Sequence, residues 1–172
     1  FSTVYSDDEE GGRFAALAMK ERGRKDIVAV LGPQDNPAVV DHLRGYRAVL
    51  GEDLPDANVI YTGWNNGDGY QAMHQILARE IAFDGVLCGS DRIAAGVITA
   101  LNEAGLSVPA DVSVVGFDDH EIATRCVPAL TTVRQPLREE GHMAANIALD
   151  MIKGAEPTTS VMHMQLIQRD SL

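Results

Sequence analysis

The chain has 172 residues, 45 % of them hydrophobic, and carries 25 Asp and Glu against 14 Lys and Arg, a formal net charge of −11. That sign excludes a surface built to track a phosphate backbone, and the densest basic stretch, Met19 to Lys25, holds a Glu and reads as the solvated end of a helix. No apolar run approaches the ~20 residues that cross a bilayer, so no membrane segment is expected.

Ser2 to Ser6 (STVYS) reads as a strand. Asp7 to Gly23 reads as a helix with an acidic start and a Gly end, in which Phe14, Leu17, Ala18 and Glu21 share one face. Asp26 to Gly32 (DIVAVLG) is almost continuously apolar, which predicts a strand buried on both sides. Asn36 to Gly51 places Val39, Leu43, Tyr46 and Leu50 on one helix face, and Asn58 to Thr62 is a short β-branched strand. Asp68 to Glu80 is a helix with Tyr70, Met73, Ile76 and Leu77 together, and Asp84 to Gly89 is another short buried strand. Ser90 to Gly105 opens with a Ser-Asp cap, presents Ile93, Val97, Ile98 and Leu101, and stops at a Gly. Asp111 to Phe117 is the next strand. Beyond it, Val127 to Pro136 has a short strand between prolines, Leu137 to Gly154 is a long helix, and Ser160 to Asp170 alternates as a final strand.

Strand and helix in repeated alternation predict an α/β fold: an open, parallel, doubly wound sheet with flanking helices. The two cysteines, Cys88 in an apolar strand and Cys126 in an irregular stretch, are too few for a disulfide framework and read as reduced thiols in a cytoplasmic protein. Phe1-Ser2-Thr3-Val4 lacks the basic start and apolar continuation of a secretory leader, and the missing initiator Met fits either a fragment or a processed product.

Ligands of open parallel sheets bind beyond the carboxyl ends of the strands. The residues expected there are Ser6 and Asp7, Gly32, Thr62 to Asn66, Ser90 and Asp91, and Asp118 and Asp119. Carboxylates, a hydroxyl and the sole indole, Trp64, suit a neutral polyhydroxylated ligand: a carboxylate accepts from two neighbouring hydroxyls, and an aromatic face covers the C–H side of a sugar ring. Each has a plainer reading. Asp7 and Asp91 fit helix caps, and Trp64 fits half-buried packing. Asp118 resists one, because it follows a fully apolar strand and is itself followed by a second acid, and two like charges repel unless donors surround them. The chain has no G-x-S-x-G, H-E-x-x-H, C-x-x-C or G-x-x-x-x-G-K-[ST] pattern, so neither an enzyme nor a cofactor nor a metal is called for. Gly11-Gly12 lacks the spacing and Lys of a phosphate cradle and reads as close packing of helix on strand.

SVPADVSVVGFDD (Ser107 to Asp119), PALTTVRQP (Pro128 to Pro136) and LIQRDS near the end follow one another at familiar distances, after upstream blocks such as LRGYRAVL and GVLCGSDRIAAG. Together they resemble the effector-binding region of the LacI/GalR family of bacterial transcription regulators, over essentially the whole chain. The resemblance implies one lobe of a two-lobed core like that of periplasmic sugar-binding proteins. Residues 1–133 and 159–172 would form the C-terminal lobe, and 134–158 would be a helix returning to a first lobe otherwise missing, its apolar face (Met143, Ala144, Ile147, Met151) left to find a partner. It implies a small sugar-like effector held by Asp118, Trp64, Ser90 and His42, a homodimer meeting near Ala95 and Cys126, and operator DNA reached only through an N-terminal headpiece absent from this chain. Ser90 stands where many members have an effector-contacting Asn, and His42 where most have an Arg; without the Arg fork, a strongly anionic ligand is disfavoured. Two alternatives remain at this stage: a sugar-binding protein of a transport system, and a Mg²⁺-dependent phospho-acceptor or enzyme domain using Asp118 and Asp119.

Overall fold

The computed structural model describes residues 1–79 and 81–172. Six strands form the main sheet in the order β3-β2-β4-β5-β6-β8: β2 (Ile27–Leu31), β3 (Val59–Tyr61), β4 (Gly85–Cys88), β5 (Ser113–Asp118), β6 (Thr131–Arg134) and β8 (Gln165–Ile167). All neighbours run parallel except β6 and β8. The expected doubly wound sheet is therefore present. Its order reverses at β2: the chain goes out to β3 and returns to β4 on the other side, so the crevice at this reversal opens beyond Gly32 and Gly89.

Every residue of β2 is buried, as its apolar run demands, because helices cover both faces. Ile27, Ala29 and Leu31 point toward α1 (Asp8–Glu21) and α2 (Pro37–Leu50), and Val28 and Val30 toward α3 (Asn66–Leu77) and α4 (Asp91–Glu103). The helix ends follow local chemistry. Asp7 caps α1 at Glu10 N (2.8 Å), Asn36 caps α2, and Asn65 with Asp68 closes a capping box on α3. Glu80, the last residue of the third predicted helix, lies outside the described residues.

Two expectations shift. The buried face of α1 is made of Gly11, Gly12, Ala15, Ala16 and Met19, whereas Leu17 is 43 % exposed. The reason is close approach: a Cβ on Gly12 would lie 2.6 Å from the His42 carbonyl oxygen of α2, and one on Gly11 would lie 2.6 Å from the Phe117 ring of β5. Small residues bring α1 down onto both neighbours and turn its larger Leu outward. The final alternating segment is not one strand. It breaks at His163–Met164 into β7 (Thr159–Met162) and β8, and β7 pairs in parallel with β1 (Thr3–Ser6) outside the main sheet. The long helix α5 (Leu137–Ile152) has no buried residue; it lies near β1, with Leu149 and Ile152 well exposed. Among the described residues no helix is long and apolar enough to cross a membrane.

Candidate functional site

The acidic tip of β5 divides into two unlike carboxylates. Asp118 and Asp119 both have positive φ, 105° and 53°, a backbone region that costs a non-glycine residue roughly 1–3 kcal/mol and persists only where the surroundings enforce it. The turn sends the two side chains different ways. Asp119 is gripped by cations: Arg134 Nε donates to its Oδ2 (2.6 Å) and Arg169 to its Oδ1 (2.5 Å). Burial raises its pKa, but the two guanidinium groups outweigh burial and hold the carboxyl below its ordinary value. Asp119 is a structural tie between β5, β6 and the C-terminal segment.

Asp118 is half-buried, and among the described residues no cation pairs with it; its hydrogen-bond partner is Gln135, whose Nε2 donates to Oδ1 at 3.2 Å. Burial, then Asp91 and Asp8, push its pKa up to about 7, with Arg92 pulling the other way. It lines a cleft of about 420 Å³ with Asp119, Gln135, Arg138 and His163. A second cleft of about 530 Å³ lies beside it, walled by Ser6, Asp7, Asp8, Asp41, Arg44 and Glu140, and Gln135 is common to both. The sheet edge is thus acidic, open and crossed by a single amide side chain.

The remaining predicted contacts ring this edge without entering the walls of the 420 Å³ cleft. Trp64 is 37 % exposed and lies over Gly32 at the end of β2, where the missing side chain leaves room: any Cβ there would overlap the indole. Its ring covers the crevice at the strand-order reversal. His42 is buried. Its ring centroid sits 3.8 Å from that of Phe117, its Nε2 is 3.4 Å from Asp8 Oδ1, and its Nδ1 has no hydrogen-bond partner among the described residues. The His thus packs under the edge beside Asp8, where a longer Arg would not fit the same contact with Phe117. Ser90 is also buried, and its hydroxyl caps α4 by accepting from Ile93 N at 3.2 Å. Tyr46 lies beneath them with its hydroxyl 3.5 Å from Cys88 O, and burial, then Cys88, Asp118 and Asp8, raise its pKa, so it is a neutral donor.

Asp91, expected either at the ligand edge or as a helix cap, has a third role. Ser90 is the cap; Asp91, with no exposed surface, accepts from His120 N (2.7 Å) and from Thr132 Oγ1 (2.5 Å). No local sequence signal marks these contacts, because the partners lie 29 and 41 residues away. One turn further along α4, Ala95 comes together with Cys126 in a groove of about 310 Å³ with Ile98, Thr99, Ile122 and Val127; Val127 is 81 % exposed and Cys126 is half-buried.

The family model described as a periplasmic binding protein-like domain matches residues 16–172. The HTH-type transcriptional repressor PurR of Escherichia fergusonii is 38 % identical over 168 residues, covering 95 % of this chain and 49 % of that protein; PurR of Salmonella arizonae is 37 % identical over 175 residues, covering 99 % and 51 %. The chain spans about half the length of the curated relatives it matches. Among solved structures, the transcriptional regulator CelR–cellobiose complex superposes with a TM-score of 0.93 at 35 % identity, over 99 % of this chain and 54 % of that one. A LacI family transcriptional regulator from Enterococcus faecalis with bound ribose gives 0.91 at 30 % identity, over 99 % and 62 %. The chain therefore belongs to the periplasmic binding protein-like domain family, as an effector-binding region of the LacI/GalR type.

Proposed function

We propose that this chain is the sensing and dimerising part of a LacI-type transcriptional regulator, that it binds a neutral sugar or sugar derivative, and that it catalyses nothing. The observation that carries the reading is Asp118: a carboxylate held beyond a buried strand in strained backbone, with no cation paired to it among the described residues, at a cleft, while its neighbour Asp119 is held by Arg134 and Arg169. A structural carboxylate takes the cations within reach; one kept free to accept hydrogen bonds serves a ligand that donates them. Trp64 offers a C–H-covering face at the same edge, and the acidic surroundings with His42 in place of a guanidinium oppose an anionic ligand. The cellobiose and ribose in the two structural relatives support a sugar.

The second wall of the site belongs to a preceding lobe, which would also cover the exposed apolar residues of α5 and extend the β1–β7 pair. Effector binding shifts the angle between the lobes only if one arrangement binds it better, and two chains meeting at the Ala95–Cys126 groove pass that angle to a DNA-binding headpiece elsewhere in the polypeptide. The test is a thermal-shift screen of sugars and polyols on the full-length protein, followed by operator binding with and without the best ligand. A sugar that raises the melting temperature and changes operator affinity supports the reading; a response only to anions or to Mg²⁺ overturns it.

A further inference from the structure

We infer that Asp91, acting through Thr132, is the positioning residue that sets the carboxylate of Asp118. This rests on Asp118 being the effector contact and goes beyond it to what aims that contact.

A side chain on positive-φ backbone relaxes unless the peptide units around it are held. Two peptide N–H groups follow Asp118, and both end on Asp91. The Asp119 N–H reaches Thr132 Oγ1 (3.3 Å), and the Thr132 hydroxyl donates its own proton to Asp91 Oδ1 (2.5 Å). The His120 N–H goes directly to Asp91 Oδ2 (2.7 Å). Asp91 and Thr132 are both fully buried, and β5 passes so close at Gly116 that any Cβ there would strike Asp91 Oδ1. The holder therefore cannot swing away, and water does not compete for it. Asp91 is also the first residue of α4, the helix that carries Ala95, and the turn it holds runs on through His120, whose Nδ1 accepts from Ile122 N (3.2 Å) at the wall of the Ala95–Cys126 groove. A shift of the Asp118 turn on ligand binding thus acts on α4 and on the groove through the same two oxygens.

Burying a carboxylate only to brace a loop is costly, since an apolar pair of the same shape serves stability as well or better. Its retention here fits a requirement for aim.

The experiment uses the full-length protein and a panel of ribose, cellobiose, glucose and galactose, continuing by calorimetry with the sugar that gives the largest thermal shift. Thr132→Val is nearly isosteric and breaks the relay; Asp91→Asn breaks it from the other end; Thr132→Ser restores the hydroxyl. Thr132→Val is expected to weaken binding about tenfold, the loss of roughly one well-placed hydrogen bond, and Thr132→Ser to recover it to within about twofold. In an Asp118→Ala background, Thr132→Val is expected to cost less than about twofold more, since there is no carboxylate left to aim. Losses that add fully in the double variant overturn the positioning role while leaving the sugar site intact. No response of the unmodified protein to any sugar of the panel, or an Asp118→Ala protein that binds as well as the unmodified one, overturns the site itself and this inference with it.

Discussion

Replacing Asp118 by Asn is expected to stabilise the protein above neutral pH while destroying its sugar binding. Burial, above all, pushes the pKa of the Asp118 carboxyl up to about 7 from an ordinary value of 3.8. A carboxyl with a raised folded pKa binds its proton more tightly in the native state, so its contribution is greatest below about pH 4 and is lost as pH rises toward 7. The difference amounts to about 4 kcal/mol at most once the group is ionised, and exchange with water at a half-buried site reduces this to about 2 kcal/mol. Asn is uncharged, of similar shape, tolerates positive φ better and still accepts from Gln135. For a chain of 172 residues, that gain corresponds to a melting temperature higher by about 4–8 °C at about pH 8, falling to about a third of that at about pH 5 and to zero only below about pH 4. Thermal melts of both proteins across this range measure it. An Asn variant equally shifted at both pH values, or less stable at about pH 8, would mean that Asp118 ionises at no cost and is not a buried carboxylate without a cationic partner.

Three more outcomes follow from the same geometry. A ligand that donates hydroxyls binds the ionised form of Asp118, so sugar affinity should fall about tenfold between about pH 8 and pH 6, with a proton released on binding near neutrality; calorimetry in buffers of different ionisation enthalpy reads both, and a flat profile contradicts the assignment. If a preceding lobe supplies the opposing wall, as proposed, this chain alone should bind the same sugar no better than about millimolar, and micromolar binding would place the whole site in one lobe. Ala95→Glu puts a charge into the groove shared with Cys126 and should convert the proposed dimer of the full-length protein to monomers in sedimentation; an unchanged dimer moves the interface elsewhere.

The parts of the fold that were legible in the sequence are those set by local patterns. β2 reads as doubly covered because nothing in Ile27–Leu31 tolerates water, and the structure buries all of it. The tip at Asp118 was legible because two acids after an apolar strand have no reason within the strand itself. What the sequence left open depends on which distant groups arrive. Asp118 and Asp119 are the same residue type side by side, and only the approach of Arg134 and Arg169 makes one a tie and leaves the other free. Asp91 resembles an ordinary cap until Thr132 and His120 are seen to converge on it. The outward turn of Leu17 depends on glycines pulling α1 against α2 and β5, and the break at His163–Met164 depends on Glu10 of α1, whose carboxylate accepts from Met164 N at 3.0 Å. Periodicity carries no record of such meetings.

Sensing by this chain, as proposed, requires that Asp118 receive a sugar. Calorimetric titration of the full-length protein with the best sugar of the panel, beside its Asp118→Ala variant, addresses it directly. Saturable binding that weakens about a hundredfold in the variant, as expected for a bidentate carboxylate contact worth about 3 kcal/mol, is the predicted result. Equal affinity in the two proteins would contradict it.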